Sequence, residues 1–183
     1  MWKRNYSFFL YLLVLLMGSC SALKRDSKRE VLTEFRLTVK GAYCGGARPS
    51  DEMLAQLTAP KALGDVQFYI KPGHTNDPDI AALASSITDA DGLAFVNLCP
   101  GEYVLVFEDK LDWTVYNERK QQYAQPEHPF GAIDTVCLNQ WIRQPEMQFT
   151  VRPSTNSIIL IERQEKCFWN NIPCLEYLGS LPP

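Results

Sequence analysis

Short stretches of this chain alternate apolar and polar residues with a period of two, a pattern that suits β-strands with one buried face. Phe35-Arg-Leu-Thr-Val-Lys40 places Phe35, Leu37 and Val39 on one side and Arg36, Thr38 and Lys40 on the other. Val66, Phe68 and Ile70 alternate with Gln67, Tyr69 and Lys71, and Met147, Phe149 and Val151 repeat the pattern. Leu93–Leu98 is a further strand. Tyr103–Phe107 is apolar on both faces, as a central strand requires, and Ser157–Glu162 is expected to be buried on both faces too. Turn chemistry separates these runs at Cys44-Gly-Gly, Pro72-Gly, Asp89-Ala-Asp-Gly92 and Pro100-Gly101. The expected fold is therefore all-β, an antiparallel two-sheet β-sandwich. One or two short helices are inserted, one capped by Ser50 and running through Leu57, another capped by Asp134 and ending near Arg143 before Pro145. Val115–Tyr123 is a further helical stretch.

The N-terminus carries an address. Lys3 and Arg4 precede an apolar run from Phe8 to Met17, too short to cross a membrane as a helix but of the size of a secretory signal's core. Leu16-Met-Gly-Ser-Cys20 resembles the lipobox of bacterial lipoproteins, with Met17 where that pattern usually has Leu. The resemblance implies a lipoprotein signal peptide over residues 1–19 and lipidation of Cys20. Ser21, rather than Asp, implies the outer membrane of a Gram-negative envelope. Charged residues Lys24, Arg25, Asp26, Lys28, Arg29 and Glu30 make residues 20–34 a solvated tether, and residues 35–183 a single β-sandwich domain with a loop-rich C-terminal tail.

The formal net charge is −3 and becomes more negative once Lys3 and Arg4 are removed. A mildly acidic domain has no footprint for nucleic acid. Beyond Cys20 the cysteines are Cys44, Cys99, Cys137, Cys167 and Cys174. Export places them in an oxidising compartment, and their odd number leaves at least one free or paired outside the chain. Cys167 and Cys174, flanking a short loop, are the expected local disulfide, and Phe168 and Trp169 between them form a candidate contact surface.

Thr88-Asp-Ala-Asp-Gly-Leu-Ala-Phe-Val-Asn-Leu-Cys-Pro-Gly-Glu-Tyr-Val-Leu resembles the central hairpin of carboxypeptidase-regulatory-like domains, which belong to the transthyretin-like, or prealbumin-like, sandwiches. The motif residues are Asp89, Asp91, Gly92, Pro100, Gly101 and Tyr103. Asp-Gly permits a tight turn with positive φ, and Pro-Gly makes the next one. The interval from Gly92 to Leu98 is one residue short of the family pattern, so either Phe95 or Val96 faces the core. The resemblance implies an Ig-like or prealbumin-like sandwich and a non-catalytic accessory or interaction module.

A search for chemistry returns little. His74 and His128 both sit in proline-bounded loops. No cofactor is implied. The expected function is a non-enzymatic envelope lipoprotein, held to the membrane by lipid at Cys20 and meeting a protein or glycan partner. The alternative is a metal-dependent binder or hydrolase built on His74 with Asp77 and Asp79.

Overall fold

In the computed structural model, residues 30–111, 117, 118, 121, 130, 131, 134–153, 157–171 and 173–180 are described. Among these residues eight strands form two four-stranded sheets. The first sheet holds β1 (Val31–Lys40), β2 (Lys61–Ala62), β5 (Leu93–Leu98) and β8 (Ser157–Gln164). β1 is its spine, pairing antiparallel with β5 and β2 and parallel with β8. The second sheet runs β4 (Ala84–Ile87), β3 (Gln67–Pro72), β6 (Gly101–Phe107), β7 (Met147–Val151), antiparallel throughout. The two-sheet β-sandwich expected from the alternation is thus present, with one parallel pairing added.

Period-two alternation places the core between the sheets. Phe35 and Leu37 from one sheet meet Phe68, Ile70, Leu105 and Phe149 from the other, all buried. Phe35 lies tilted at 5.1 Å from Phe68 and edge-on at 5.5 Å to Phe149, an aromatic arrangement that adds to area burial. Tyr103 is buried with its hydroxyl donating to Cys99 O at 2.7 Å. The first strand starts earlier than its clearest alternation: Val31 and Thr33 are buried on the core side, so the tether gives way to strand at Val31.

The Asp89 turn closes as its residues dictate. Gly92 N donates to Asp89 O at 2.9 Å, and the Asp89 carboxylate accepts from Asp91 N and Leu93 N. Gly92 has φ +74°, and a Cβ there would lie 2.4 Å from Leu37 O. Only glycine fits this place. β5 and β6 pair in opposite sheets, so the segment expected as a hairpin is an arch that Cys99 and Pro100 carry across the sandwich. On β5, Ala94 and Leu98 are buried, Val96 packs against the core and Phe95 is exposed. Val96 faces inward.

Both short helices form where their caps stand. In α1 (Asp51–Thr58) the Ser50 hydroxyl accepts from Met53 N, and in α2 (Thr135–Arg143) the Asp134 carboxylate accepts from Val136 N and Cys137 N. Most of the Val115–Tyr123 stretch lies outside the described residues. β8 departs from expectation: Ile159 and Ile161 are buried, whereas Ile158 and Leu160 point outward and are exposed. Among the described residues no layer covers that side, so a run of apolar residues became a half-buried edge strand.

Candidate functional site: a disulfide-pinned aromatic cap

β1 and β8 run parallel and end together at Lys40 and Gln164. Glu165 N donates to Lys40 O at 2.8 Å, and the chain then leaves the sheet. Cys167 is buried and disulfide-bonded to Cys44, with Cα atoms 5.5 Å apart. A 3-10 turn, Phe168–Asn170, follows directly, with Asn170 N donating to Cys167 O. Cys174 is bonded to Cys137 in the first turn of α2, Cα atoms 5.6 Å apart. Beyond it the tail lies antiparallel to the segment before α2: Asp134 N donates to Cys174 O, Gly131 N donates to Glu176 O, and Phe130 bridges Tyr177.

The expected Cys167–Cys174 disulfide is therefore wrong. The parallel pairing of β8 with β1 carries Cys167 beside the segment that follows Lys40, where Cys44 waits. The Phe130–Tyr177 bridge carries Cys174 onto α2 instead. Proximity came from two long-range pairings and not from sequence separation. Cys99 is disulfide-bonded as well. Of the two outcomes expected for the odd cysteine, free or paired outside the chain, the first is not seen: no described cysteine is free.

The bridges hold a chain of aromatic contacts. Phe168 meets Trp169 at 4.9 Å and Tyr177 at 5.3 Å, both edge-on, and Tyr177 meets Phe130 at 5.3 Å. Phe168 keeps 46% of its surface exposed, and Leu178 lies exposed in the same tail. The two candidate contact residues thus stand together on the surface, joined by Phe130 and Tyr177, which sequence reasoning missed.

Beside the cap lies a groove of about 620 Å3 lined by Lys110, Trp141, Glu146, Arg163 and Asn171. Lys110 is buried on its floor. Its ammonium reaches Glu146 at 2.7 Å, donates to Gln144 O at 2.9 Å and sits 5.1 Å from the Trp141 ring centroid. A buried ammonium needs such partners. These residues carry no local sequence signal, because they come from a 3-10 turn, α2 and the loop after it.

The residues of the alternative reading, His74, Asp77 and Asp79, make separate contacts. His74 Nε2 lies 2.8 Å from Glu102 Oε2 on the open surface. The Asp77 carboxylate instead accepts from Asp79 N at 3.0 Å, closing its own turn. Among the described residues no three His, Cys, Asp or Glu side chains are grouped to hold a metal ion. His128 and Cys20 lie outside the described residues. Asp89, Asp91 and Gly92 make their turn, and Pro100, Gly101 and Tyr103 the arch, so the motif is structural.

No protein-family model matches this chain, and no curated protein does. Among solved structures, a similarity to the Bacillus anthracis TIE protein has a TM-score of 0.31 and 14% identity, covering 73% of this chain and 17% of that one. A likeness at that level fixes neither fold nor function.

Proposed function

We propose that this chain is a membrane-anchored, non-enzymatic envelope lipoprotein whose aromatic cap binds a protein or glycan partner. The observation that carries the reading is the half-exposed Phe168, held on the surface against Trp169 and Tyr177 by a segment crosslinked at Cys167 and Cys174. Aromatic side chains dominate interface energetics. A crosslinked segment also loses little conformational entropy on binding. The cap sits at the end of β1 opposite Val31, where the tether joins, so ten strand residues separate partner site from anchor by roughly 30 Å.

The anchor rests on the lipobox-like Leu16–Cys20 and the basic start of the chain. No helix of the described residues is long and apolar enough to cross a membrane. The Asp89–Tyr103 motif supports a carboxypeptidase-regulatory-like domain, a class of accessory modules on exported proteins.

A photo-crosslinking amino acid at Phe168 in cells should trap one defined partner, and the same probe at exposed Ile87 should not. Equal capture at both positions would remove the cap from consideration. Lipidation consumes the Cys20 thiol. Cys99 is disulfide-bonded while the other four cysteines beyond Cys20 pair with one another, so the anchor requires Cys99 to take its partner outside this chain. A peptide map joining Cys20 to Cys99, or to any other cysteine, would overturn it.

A further inference from the structure

The outer face of the first sheet is divided along its length. Across β8, β1 and β5 the register sets Ile158, Glu34 and Phe95 in one row and Leu160, Arg36 and Leu93 in the next. Leu32 begins the face at the tether end. Leu32, Phe95, Ile158 and Leu160 are exposed by 52%, 55%, 53% and 64%. Toward the cap end the rows turn polar, with Thr38 beside Glu162 and Lys40 bonded to Glu162 at 2.8 Å. Four large apolar side chains gathered on an open sheet face mark a surface that meets something.

We infer that this half-face docks on the phospholipid surface that holds the chain, an inference that rests on the lipid anchor at Cys20. The length and end point of the connecting segment favour lipid as the occupant. From Cys20 to Glu30 the chain spans at most roughly 36 Å when fully extended, and it joins β1 one residue before the apolar rows begin. The face is therefore confined within a short reach of the bilayer, which raises its effective concentration there. Charge agrees. Lys24, Arg25, Lys28 and Arg29 outnumber Asp26 and Glu30 in the connecting segment, which draws it toward an anionic leaflet.

On the face itself, Arg36 stands between Leu160 and Leu93, its guanidinium 2.6 Å from Glu34. A long basic side chain amid apolar neighbours suits the headgroup boundary, with its stem among acyl chains and its charge at the phosphates. The gradient also sets a tilt. The Leu32 end dips into the interface, and the Lys40 end, with the aromatic cap beyond it, is lifted clear.

The test uses the lipidated full chain in phosphatidylethanolamine–phosphatidylglycerol vesicles carrying a diazirine phosphatidylcholine. Flotation reports the anchor, and peptide mapping of carbene adducts reports the face. Adducts concentrated on the Phe95 and Ile158–Leu160 peptides are expected. A Phe95→Ser/Leu160→Ser variant should float equally while those adducts fall to background. Floated protein labelled elsewhere, with these peptides clean, would overturn the docking face and leave the anchor standing. A detergent-solubilised dimer that the double variant abolishes would also overturn it, by giving the face to a second copy. Protein that does not float overturns the anchor, and the docking face with it.

Discussion

The Lys71 ammonium donates to the Asn76 carboxamide oxygen at 3.0 Å in a site where both residues are buried. Asn76 in turn donates from its amide nitrogen to Lys110 O at 3.0 Å and Ile142 O at 2.8 Å. One side chain thus fastens the loop after β3 to a 3-10 turn and to the end of α2. Val104 and Val106 are fully buried yet lie outside the intersheet cluster, and Lys71 pairs with Val104 on that same face. Replacing Asn76 by Ala leaves the ammonium only its bond to Asp77 O and deprives two buried carbonyls of their donor, at a cost of about 2–4 kcal/mol. Chemical denaturation should show this as a lower midpoint. A loss under about 1 kcal/mol would mean that water takes over the bonds.

Burial also depresses the Lys71 pKa below its ordinary 10.5, with Asp77 and Asp79 opposing the shift. A lysine depressed in the fold binds protons more weakly there than in the unfolded chain. It therefore weakens stability while protonated, and the penalty fades as pH rises toward 10.5. Burial raises the Tyr103 pKa above 10.0, which acts in the opposite sense: its contribution is present below pH 10.0 and is lost above it. Melting temperatures of wild type minus Lys71→Met should rise between neutral pH and 10.5. Wild type minus Tyr103→Phe should fall above pH 10.0.

Non-reducing peptide maps should join Cys44 to Cys167 and Cys137 to Cys174, with no Cys167–Cys174 peptide. The bridges close long segments, separated by 123 and 37 residues. In the chain-entropy account each constrains the unfolded chain by about 4–5 kcal/mol. Cys44→Ala/Cys167→Ala should lower unfolding free energy by a large part of that amount and loosen Phe168.

Gly92→Ala should be among the most damaging single-methyl changes. It forces a side chain onto φ +74° and drives the Cβ to 2.4 Å from Leu37 O. The expected loss is about 2–4 kcal/mol, from positive φ and the displaced backbone together. Urea unfolding measures it.

Two aromatic truncations separate core from surface. Phe149→Ala removes a ring packed between Phe35 and Tyr103 and should cost about 3–5 kcal/mol. Phe168→Ala, at a half-exposed ring, should cost about 1 kcal/mol or less while abolishing partner capture. On β5, Val96→Ser should destabilise more than Phe95→Ser, because Val96 packs on the core and Phe95 does not.

Legibility followed the range of the interactions. Period-two alternation at Phe35, Phe68 and Phe149, the caps Ser50 and Asp134, and the Asp89–Gly92 turn are local, and each is readable from a few neighbours. β4 escaped because its four residues, Ala84–Ile87, are too few and too polar for a pattern. The exposed side of β8 escaped because Ile158 and Leu160 have the composition of a buried strand, and their exposure depends on what packs over the sheet and not on the strand itself.

What the sequence determined alone, then, is the set of strands, turns and caps, because those depend on backbone preference and on which face of a strand is apolar. Tertiary structure decided the rest. Pairing of β8 with β1 chose Cys44 for Cys167, the crossing at Cys99 turned an expected hairpin into an arch, and the approach of Lys110, Ile142 and Arg143 gave the buried Asn76 its partners. Each of these joins residues distant in the chain, and no short stretch of sequence carries the free energy that selects among such pairings.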